Sequence, residues 1–177
     1  MKENFVKEKN NIPPVTSDFI EVRNSKVHGK GIFAAKDIPK GTKIIEYVGE
    51  KISKDEAQER ATIQEGKSQL DSEEGAVYIF ELNDDFDLDG NVEYNTARLI
   101  NHTCKPNCES EQDEDDKIWL IALRDIKKGE ELGYNYGYDI ENWKDHPCKC
   151  GNNNCVGYIV AEKHWKKLEK LKKSSKK

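Results

Sequence analysis

Short runs in which apolar and polar residues alternate recur along most of the chain and predict β-strands. The runs are "DFIEVRNS" from residue 18, "GIFAA", "TKIIEYVGE", "AVYIFEL" at 76–82, "KIWLIAL" at 117–123 and the tyrosine-rich "LGYNYGY" at 132–138. Their lengths are those of strands in globular proteins, and they are separated by turn residues. The chain is therefore predicted to be mostly β.

Two segments are predicted to be helical. The segment Ser53–Glu56 (SKDE) has the form of a capping box, in which a serine caps the first turn and a glutamate reaches back to it. This helix is expected to run to about Glu65 and to end at Gly66. Near the C-terminus, apolar residues three or four positions apart predict an amphipathic helix whose other face is covered by lysines. Its apolar positions are Ala161, Trp165, Leu168 and Leu171.

Two segments have nearly the same sequence, "AAKDIPKG" at 34–41 and "ALRDIKKG" at 122–129. In the first, Pro39 fixes φ and Gly41 tolerates a positive φ, as expected in a tight turn. Two copies are too few for a solenoid. We therefore expect two similar strand–turn–strand corners in a β-rich body.

The length of 177 residues suits one ordinary domain with appendages. The longest uncharged run near the middle, Ile118–Leu123, is too short to cross a membrane, which requires about 20 apolar residues. The N-terminal "MKENFVKEKNN" has no apolar core of a secretory signal. A cytoplasmic or nuclear location in a reducing compartment is therefore expected, without membrane association.

The net charge of −5 is unevenly distributed. Residues 161–177 contain eight lysines and two glutamates, or +6, so the other 160 residues carry −11. Much of the acid lies in "NDDFDLD" (83–89) and "ESEQDEDD" (109–116). Such a body suits a basic peptide better than a phosphate backbone, so no direct nucleic-acid contact is expected. The acidic runs could equally be solvated loops, and the lysine-rich end a solvated helix end, a targeting signal or an automethylation site.

Five cysteines are concentrated in two short stretches. An odd number of cysteines in a chain with no export signal argues against a disulfide framework and for metal binding or free thiols. The cysteines are Cys104, Cys108, Cys148, Cys150 and Cys155.

The last three cysteines have the spacing C-x-C-x4-C. Three thiolates on so short a loop, with Gly151 allowing a tight bend, can occupy three corners of a zinc tetrahedron. A structural zinc site usually has a fourth ligand, and the loop itself offers none. The candidates are His146, His164, Cys104 and Cys108.

Four motifs together resemble those of the SET-domain protein lysine methyltransferases. "RLINHTCKPNC" (98–108) is similar to the family's Asn-His-Ser-Cys-x-Pro-Asn-Cys signature, and "GEELGYNYGYD" (129–139) to its Glu-Leu-Thr-Tyr-Asp-Tyr strand. "HGKGIFA" (28–34) resembles its N-terminal glycine motif, and "CKCGNNNCVG" (148–157) its zinc-binding post-SET segment. The motifs occur in the family's order and the resemblance spans about residues 18–160, which makes the assignment specific.

The resemblance implies a SET-domain fold, in which small curved β-sheets surround a pseudoknot-like core. It divides the chain into a SET domain at 18–140, with an inserted SET-I region at 53–100, and a zinc-binding post-SET segment at 141–160. A loose N-terminal arm at 1–17 and a basic C-terminal helix or tail at 161–177 flank these parts. The sequence has no cysteine-rich pre-SET segment before residue 18, so a minimal SET plus post-SET protein is expected.

The resemblance also implies a cofactor site for S-adenosylmethionine. Small residues allow the close approach of a ligand to the backbone, as the glycine motif requires. Tyr78 corresponds to the aromatic residue between cofactor and substrate lysine; from strand propensity alone it would be a core residue. The other residues implied to hold the cofactor are His28, Gly29, Lys30, Gly31, Asn101 and His102.

The implied reaction requires an uncharged lysine amine, because an ammonium has no lone pair with which to attack a methyl group. Deprotonating a lysine with a pKa of 10.4 at pH 7 costs about 4.6 kcal/mol, and an aromatic channel lowers this cost by desolvating the cation. Tyr136 aligns with the family's essential tyrosine, expected to steer methyl group and amine into line. Tyr134 aligns with its phenylalanine/tyrosine switch, which predicts mainly monomethylation with some dimethylation.

In the family, a cysteine beside the Asn-His pair completes the zinc site of the post-SET segment. The implied ligands are therefore Cys104, Cys148, Cys150 and Cys155. The metal would fasten the C-terminal segment over the cofactor, so that cofactor site and lysine channel form together. Cys108 is then expected to be a buried thiol that binds no metal.

Three positions depart from the family pattern: Gly133 replaces threonine, Asn135 aspartate and Thr103 serine. The expected function is methylation of a lysine in a histone or other basic protein tail, and hence a role in chromatin. The alternatives are a SET-like scaffold with little activity that binds basic proteins, and a methyltransferase of a non-histone basic protein.

Overall fold

The computed structural model describes residues 12–70 and 77–174, which contain ten short strands and two α-helices. The strands are β1 (Ile20–Asn24), β2 (Lys30–Ala34), β3 (Lys43–Tyr47), β4 (Glu50–Ser53), β5 (Ile79–Glu81), β6 (Phe86–Asp89), β7 (Asn101–His102), β8 (Cys108–Gln112), β9 (Ile118–Ala122) and β10 (Gly133–Tyr134). The helices are α1 (Lys54–Leu70) and α2 (Trp165–Ser174), with 3₁₀ turns at Thr96–Leu99, Trp143–Asp145 and Glu162–His164. This confirms the mostly β prediction.

The strands form four small sheets. β1 pairs with β2, β9 lies between β3 and β8, and β6 lies between β4 and β5, all antiparallel. β7 and β10 form a parallel pair of two residues each. Because parallel neighbours cannot be joined by a tight turn, this pair brings together segments that are distant in the chain.

Isoleucine is the most frequent residue in the main core. β9 alternates between buried and half-buried positions, so that Ile118, Leu120 and Ala122 face the core. Ile32 and Ile44 meet them from β2 and β3. Burying a side chain of this size stabilises the fold by roughly 1.5–3 kcal/mol.

The two repeated segments form the predicted corners, and the corners pair with each other. Ile38 and Ile126 exchange two backbone hydrogen bonds of 2.8 Å each. One carboxylate of each repeat accepts a backbone N–H of the other corner at 2.9 Å. The pairs are Asp37 with Lys128 and Asp125 with Lys40. The two repeated segments are therefore related by an approximate local two-fold axis.

The interpretation of the acidic runs as solvated loops holds only for their exposed turns, because each run also contributes residues to a strand. In β6, Asp87 and Asp89 are buried beneath α1. Lys54 Nζ lies 2.7 Å from a carboxylate oxygen of Asp87, and Arg60 Nη1 lies 2.8 Å from one of Asp89. Buried carboxylates are tolerated when they are paired in this way, and the cations come from the helix.

The prediction that α1 ends at Gly66 is also wrong. The helix begins as predicted, with Ser53 Oγ accepting the N–H of Glu56 at 3.3 Å, but it continues to Leu70. The Glu56 carboxylate pairs with Arg60 instead of reaching back. A glycine inside a helix costs only about 1 kcal/mol relative to alanine, and Gly66 does not adopt the left-handed conformation of a C-cap.

Only the first part of "LGYNYGY" is a strand. β10 covers Gly133 and Tyr134, after which Asn135 Oδ1 accepts the N–H of Gly137 at 2.9 Å and Gly137 takes a φ of +73°. This side-chain turn ends the strand. The tyrosines that follow are therefore held by the loop and not by a sheet.

The predicted C-terminal helix is confirmed. Leu168 of α2 is buried and packs with Trp143 and Val160 in a second hydrophobic cluster, beside the cysteine loop. Lys172 Nζ donates to Val156 O at 2.8 Å, which joins the helix to that loop. No helix in the described ranges is long and apolar enough to cross a membrane.

The two ends of the chain lie partly outside the described residues, which exclude 1–11 of the predicted arm and 175–177 of the predicted tail. The described end of the arm contacts the body of the protein. Val15 donates its N–H to Tyr94 O at 2.9 Å and packs against the main core.

Candidate active site and metal centre

The parallel β7–β10 pair builds the centre of the candidate site. It places Asn101 beside Gly133 and His102 beside Tyr134. The N–H of Thr103 extends the pairing by donating to Tyr134 O at 3.0 Å. The Asn-His motif and the tyrosine motif, separated in sequence by the β8–β9 hairpin, therefore meet side by side.

A cavity of about 510 Å³ opens next to this pair, a volume within the usual range of ligand sites. Seven of the predicted site residues line it: His28, Gly29, Lys30, Tyr78, Asn101, Tyr134 and Tyr136. The sequence did not single out other lining residues, among them Asn24, Tyr47, Phe80, Arg98 and Leu99. Tyr138 also lines the cavity. Its spacing of two residues from Tyr136, the same as that between Tyr134 and Tyr136, could have indicated this from the sequence.

Gly31 lies behind the cavity wall and not among its lining residues. A Cβ atom at Gly31 would lie 2.5 Å from Glu131 Oε1 and 2.9 Å from Ser25 Cβ. Real Cβ contacts are not this short, so any other residue would displace Glu131 or Ser25. The position permits close packing behind the wall formed by Gly29 and its neighbours.

Asn101 fastens the glycine motif to β7. Its Nδ2 atom lies 3.1 Å from Lys30 O and 3.3 Å from His28 O. The same atom lies 3.1 Å from Glu131 Oε1, which also accepts a hydrogen bond of 2.6 Å from Ser25 Oγ. The backbone that lines the cavity is thus held by an amide and a carboxylate from two other motifs.

Tyrosine hydroxyl groups tie the aromatic wall to the backbone around it. Tyr136 Oη donates to Ile100 O at 2.9 Å, and Tyr47 Oη donates to Tyr78 O at 3.0 Å. Burial raises the pKa of Tyr134, Tyr136 and Tyr47 well above the ordinary value. These phenols are therefore neutral at physiological pH, and those of Tyr136 and Tyr47 act as hydrogen-bond donors.

Tyr78 is held by a polar network that the sequence did not reveal. Its N–H donates to Gln64 Oε1 at 3.1 Å, and Gln64 Nε2 donates to Asp89 Oδ1 at 3.2 Å. Asp89 in turn pairs with Arg60 of α1. Nothing in the local sequence distinguishes Gln64 from other polar helix residues, because only folding places it over β6.

His102 is buried, and its ring is not among the groups that line the cavity. Nδ1 lies 3.3 Å from the backbone nitrogen of Tyr136, and Nε2 lies 3.6 Å from Cys104 Sγ. Burial lowers the pKa of His102 to about 4. The imidazole is thus uncharged at pH 7 and lies between the tyrosine loop and the cysteines.

Four cysteines, Cys104, Cys148, Cys150 and Cys155, form one cluster in which all sulfur atoms lie within 4.8 Å of one another. The sulfur of Cys104 lies 3.8 Å from those of both Cys148 and Cys155. A tetrahedron with Zn–S bonds of about 2.3 Å has sulfur–sulfur edges of about 3.8 Å. The donor set and its spacing therefore fit a structural zinc ion.

Backbone amides complete the surroundings of the sulfurs. The N–H of Cys150 points to Cys148 Sγ at 3.4 Å, and that of Gly157 to Cys155 Sγ at 3.3 Å. Burial raises the pKa of the Cys104 thiol to about 11. Because metals bind thiolates, loading the cluster would release protons.

The other candidates for the fourth ligand lie elsewhere. The His146 ring packs against Tyr138 with centroids 4.8 Å apart, and His164 lies 3.2 Å from a carboxylate oxygen of Asp139. Cys108 is fully buried, donates to Gly133 O and has a pKa raised to about 12 by burial. Of the four candidates, the structure brings only Cys104 to the cysteine loop.

The cysteine loop also docks on the Asn-His segment through side-chain amides. Asn152 Nδ2 donates to Thr103 Oγ1 at 2.7 Å, and Asn154 Nδ2 donates to Cys104 O at 3.3 Å. Beyond the loop, the N–H of Ala161 donates to Tyr138 O at 2.9 Å. The C-terminal segment thus contacts the Asn-His motif and the tyrosine motif, two of the motifs that build the cavity.

The comparison with known proteins agrees with this architecture. Residues 29–137 match the SET domain family, and the chain belongs to that family. It is 40% identical over 141 residues to histone-lysine N-methyltransferase trr of Drosophila melanogaster, which covers 77% of this chain and 6% of the relative. It is 39% identical over 140 residues to human histone-lysine N-methyltransferase 2D, covering 77% of this chain and 2% of the relative.

A fungal relative is also similar. The histone-lysine N-methyltransferase, H3 lysine-4 specific, of Chaetomium globosum is 35% identical over 145 residues, which cover 79% of this chain and 13% of the relative. The chain thus corresponds to a small part of the length of each of these relatives. Membership of the family confirms the SET-domain fold expected from the four motifs.

Proposed function

We propose that the protein is an S-adenosylmethionine-dependent protein-lysine N-methyltransferase that acts on a histone or another basic protein tail. The observation that carries this proposal is the junction of three motifs at one cavity. His28 to Lys30 of the glycine motif, Asn101 and Tyr136 all line it, and the cysteine cluster contacts His102, the residue after Asn101. In this proposal residues 18–140 are the catalytic SET domain, with 53–100 as its insert, and residues 141–160 are the zinc segment.

S-adenosylmethionine supplies, when bound, a methyl group activated by a sulfonium. The residues that would hold it are those of the glycine motif, His28 to Gly31, together with Tyr78, Asn101 and His102. The lining residues among them offer backbone groups and side-chain polar atoms at the cavity wall. Gly31 and His102 would act from behind that wall, by allowing its close packing and by supporting β7.

The aromatic wall would promote the loss of a proton by the substrate lysine. At pH 7 this deprotonation costs about 4.6 kcal/mol in water, and removing water from an ammonium lowers its pKa. Tyr78, Tyr134, Tyr136 and Tyr138 line the cavity together with Phe80. These rings exclude water while their hydroxyl groups leave a few polar contacts for the entering amine.

Tyr136 would align the amine and the methyl group and would not act as a base. Burial raises its pKa far above neutrality, and its hydroxyl group already donates to Ile100 O. A neutral phenol fixed in this way can hold reacting groups in line, and correct orientation lowers a barrier substantially. The ring also packs against Tyr134, with centroids 4.8 Å apart.

Zinc bound by Cys104, Cys148, Cys150 and Cys155 would have a structural role. Such a four-sulfur site is closed and leaves no position for a substrate. Zinc binding would fasten the cysteine loop to Cys104, which lies two positions after His102. The metal would therefore stabilise the wall of the cavity without taking part in methyl transfer.

Exposed carboxylates support a basic protein as the substrate. The turns that follow β5 and β8 adjoin, because Gln112 Nε2 donates to Leu82 O at 2.8 Å. Together they expose several acidic side chains on one side of the molecule: Asp84, Asp85, Glu114, Asp115 and Asp116. The relatives are named histone-lysine methyltransferases, which supports a histone tail as the first substrate to test.

Tyr134 supports monomethylation as the main outcome. It is buried beside the cavity, and within the described residues its hydroxyl group has no hydrogen-bond partner. A water held by this hydroxyl group would occupy the space that an added methyl group needs. The expected product is mainly monomethyl-lysine with a smaller amount of dimethyl-lysine.

Incubation with radiolabelled S-adenosylmethionine tests the proposal. Core histones, a proteome extract and the protein alone serve as substrates, with Tyr136→Phe as the matched control. Label on a defined lysine that is absent with Tyr136→Phe would support an enzyme. Binding of basic proteins without any label would favour a SET-like scaffold, and label only on non-histone proteins would redirect the search for the substrate.

A further inference from the structure

His102 lies between Cys104 of the cysteine cluster and the backbone of Tyr136. Its ring lies in contact distance of Cys104 Sγ on one side and of the Tyr136 backbone on the other. The rings of His102 and Tyr136 also pack edge to face, with centroids 5.4 Å apart. The side chain is buried and does not line the cavity, so its polar atoms serve the protein interior.

The backbone contact determines which ring nitrogen carries the proton. The N–H of Tyr136 can only donate, so Nδ1, at 3.3 Å, must be the acceptor and carries no proton. In the neutral imidazole the proton then resides on Nε2. Nε2 lies 3.6 Å from Cys104 Sγ, so the ring donates an N–H to the sulfur.

The same contacts continue to the tyrosine side chain. Tyr136 is held at its backbone by His102 and at its hydroxyl group by Ile100 O, 2.9 Å away. β7 contains His102 and directly follows Ile100. Movement of this short strand would therefore shift both ends of Tyr136 at once.

We propose that His102 is a positioning residue that couples the cysteine cluster to Tyr136. Closure of the cluster fixes Cys104, the sulfur orients the imidazole through Nε2–H, and Nδ1 fixes the backbone of Tyr136 at the cavity. This role rests on the proposed function for its effect on catalysis, but the structural coupling does not depend on it. Groups that orient a metal ligand in this way typically change metal affinity or activity about 10- to 100-fold when replaced.

Two substitutions separate the two contacts. His102→Asn places an amide oxygen near the position of Nδ1, so it retains an acceptor for Tyr136 but does not reach Cys104. His102→Gln places an amide nitrogen near the position of Nε2, so it retains a donor for Cys104 but leaves the Tyr136 amide without its acceptor. His164→Gln is the control, because it replaces a histidine whose partner is an exposed aspartate.

The first readout is the NMR resonance of the Tyr136 amide in the full chain, with ¹⁵N label in the tyrosines only, so that Tyr136→Phe removes the resonance and assigns it. Removal of zinc by a chelator should shift this resonance in the wild type and in His164→Gln, and much less in either His102 variant. Both His102 variants should lower kcat about 10- to 100-fold with a smaller change in KM for S-adenosylmethionine. If His102 only packed the interior, kcat would fall in proportion to the loss of stability in each variant. The Tyr136 resonance would then still shift on removal of zinc in both His102 variants, which would overturn the proposal.

A second measurement needs no variant at His102. In the wild type with isotope-labelled histidine, one buried ring should have its proton on Nε2 and an acceptor Nδ1, and the Nε2 proton should shift when zinc is removed. The opposite tautomer, or a ring that does not respond to zinc, would overturn the proposal. A wild type that transfers no methyl group but shows both responses would refute the proposed function and leave the coupling standing.

Discussion

A Cβ atom on Gly133 would lie 2.7 Å from Cγ2 of Thr103. Both residues depart from the pattern of the SET family, which has threonine at the first position and serine at the second. The methyl group that Thr103 adds therefore occupies space that the missing side chain of Gly133 leaves free. Two departures that are 30 positions apart in sequence thus lie against each other across the β7–β10 pair.

This relationship predicts a double-mutant cycle. Gly133→Thr alone should lower the free energy of unfolding by about 1–3 kcal/mol, because it overpacks a buried site. Adding Thr103→Ser should restore at least half of the loss, since serine keeps the hydroxyl group that accepts from Asn152 and removes the methyl group. Urea unfolding of the zinc-loaded proteins measures both values.

Thr103→Val in place of Thr103→Ser is the control, because valine retains a methyl group at the contact. The combination of Gly133→Thr with Thr103→Val should show no recovery. Additive effects of Gly133→Thr and Thr103→Ser would show that the two positions are independent.

Metal content should distinguish two buried cysteines that lie four residues apart. Cys104→Ser should remove a ligand and reduce zinc to well below one ion per chain after mild chelation. Cys108→Ser should keep a full complement, because Cys108 contacts Gly133 O and lies outside the cluster. Metal analysis and thermal unfolding measure the outcome, and stripping zinc from the wild type should lower both Tm and methylation.

Equal zinc content in Cys104→Ser and the wild type would exclude Cys104 as a ligand. Full methylation by a metal-free preparation would contradict a structural link between the cluster and the cavity.

The product state should depend on the hydroxyl group of Tyr134. Tyr134→Phe should raise the proportion of dimethyl- and trimethyl-lysine, because the space of the held water becomes available to the amine. Tyr138→Phe is the matched comparison, since its hydroxyl group already donates to Val77 O at 3.3 Å, and it should not raise the higher states. Mass spectrometry of product peptides gives the distribution, and predominant trimethylation by the wild type would refute the role of Tyr134.

Asn135 is predicted to require an amide. Its Oδ1 accepts the N–H of Gly137, and its Nδ2 donates to Val160 O at 3.3 Å. Asn135→Asp would restore the aspartate of the family but would place a carboxylate oxygen against a carbonyl oxygen. We expect a loss of about 1–3 kcal/mol in the free energy of unfolding. Asn135→Asp with unchanged stability would show that the Val160 contact contributes nothing.

The paired corners predict a dependence of stability on pH. The hydrogen bond from Lys127 and that from the Lys128 amide lower the pKa of Asp37 below its ordinary value. Its contribution is therefore present above the unfolded-state pKa of about 3.9 and is lost as the pH falls through the lower folded-state pKa. Asp37→Asn should be less stable than the wild type at pH 7, and the difference should shrink below about pH 3.9 in urea unfolding.

The local sequence sufficed for the main strands, the start of α1 and the amphipathic α2, because each depends on periodicity or capping within a few residues. The resemblance sufficed for the family and for seven of the described residues that line the cavity. The repeat of "DIPKG" and "DIKKG" predicted two similar corners, although not that Ile38 and Ile126 would pair. The strand β6 was not predicted, because aspartates at alternate positions are typical of a solvated loop.

The burial of Asp89 shows why such features escape sequence reasoning. The Asp89 carboxylate accepts hydrogen bonds from Arg60 and Gln64 because α1 packs over β6. The charge pattern of the sequence alone does not reveal this packing. The same holds for Tyr47, whose strand position indicates a core residue but whose hydroxyl group reaches Tyr78 O.

The sequence by itself determined which residue types are present for zinc binding and methyl transfer, and it left the fourth zinc ligand open between two histidines and two cysteines until the resemblance was considered. The tertiary structure decided that Cys104 meets the cysteine loop, that His102 faces the interior and that Thr103 fills the space beside Gly133. These outcomes depend on the parallel pairing of β7 with β10, which joins segments far apart in the chain. Such a pairing leaves no local periodicity to detect, because its energy comes from contacts that exist only after the chain has folded.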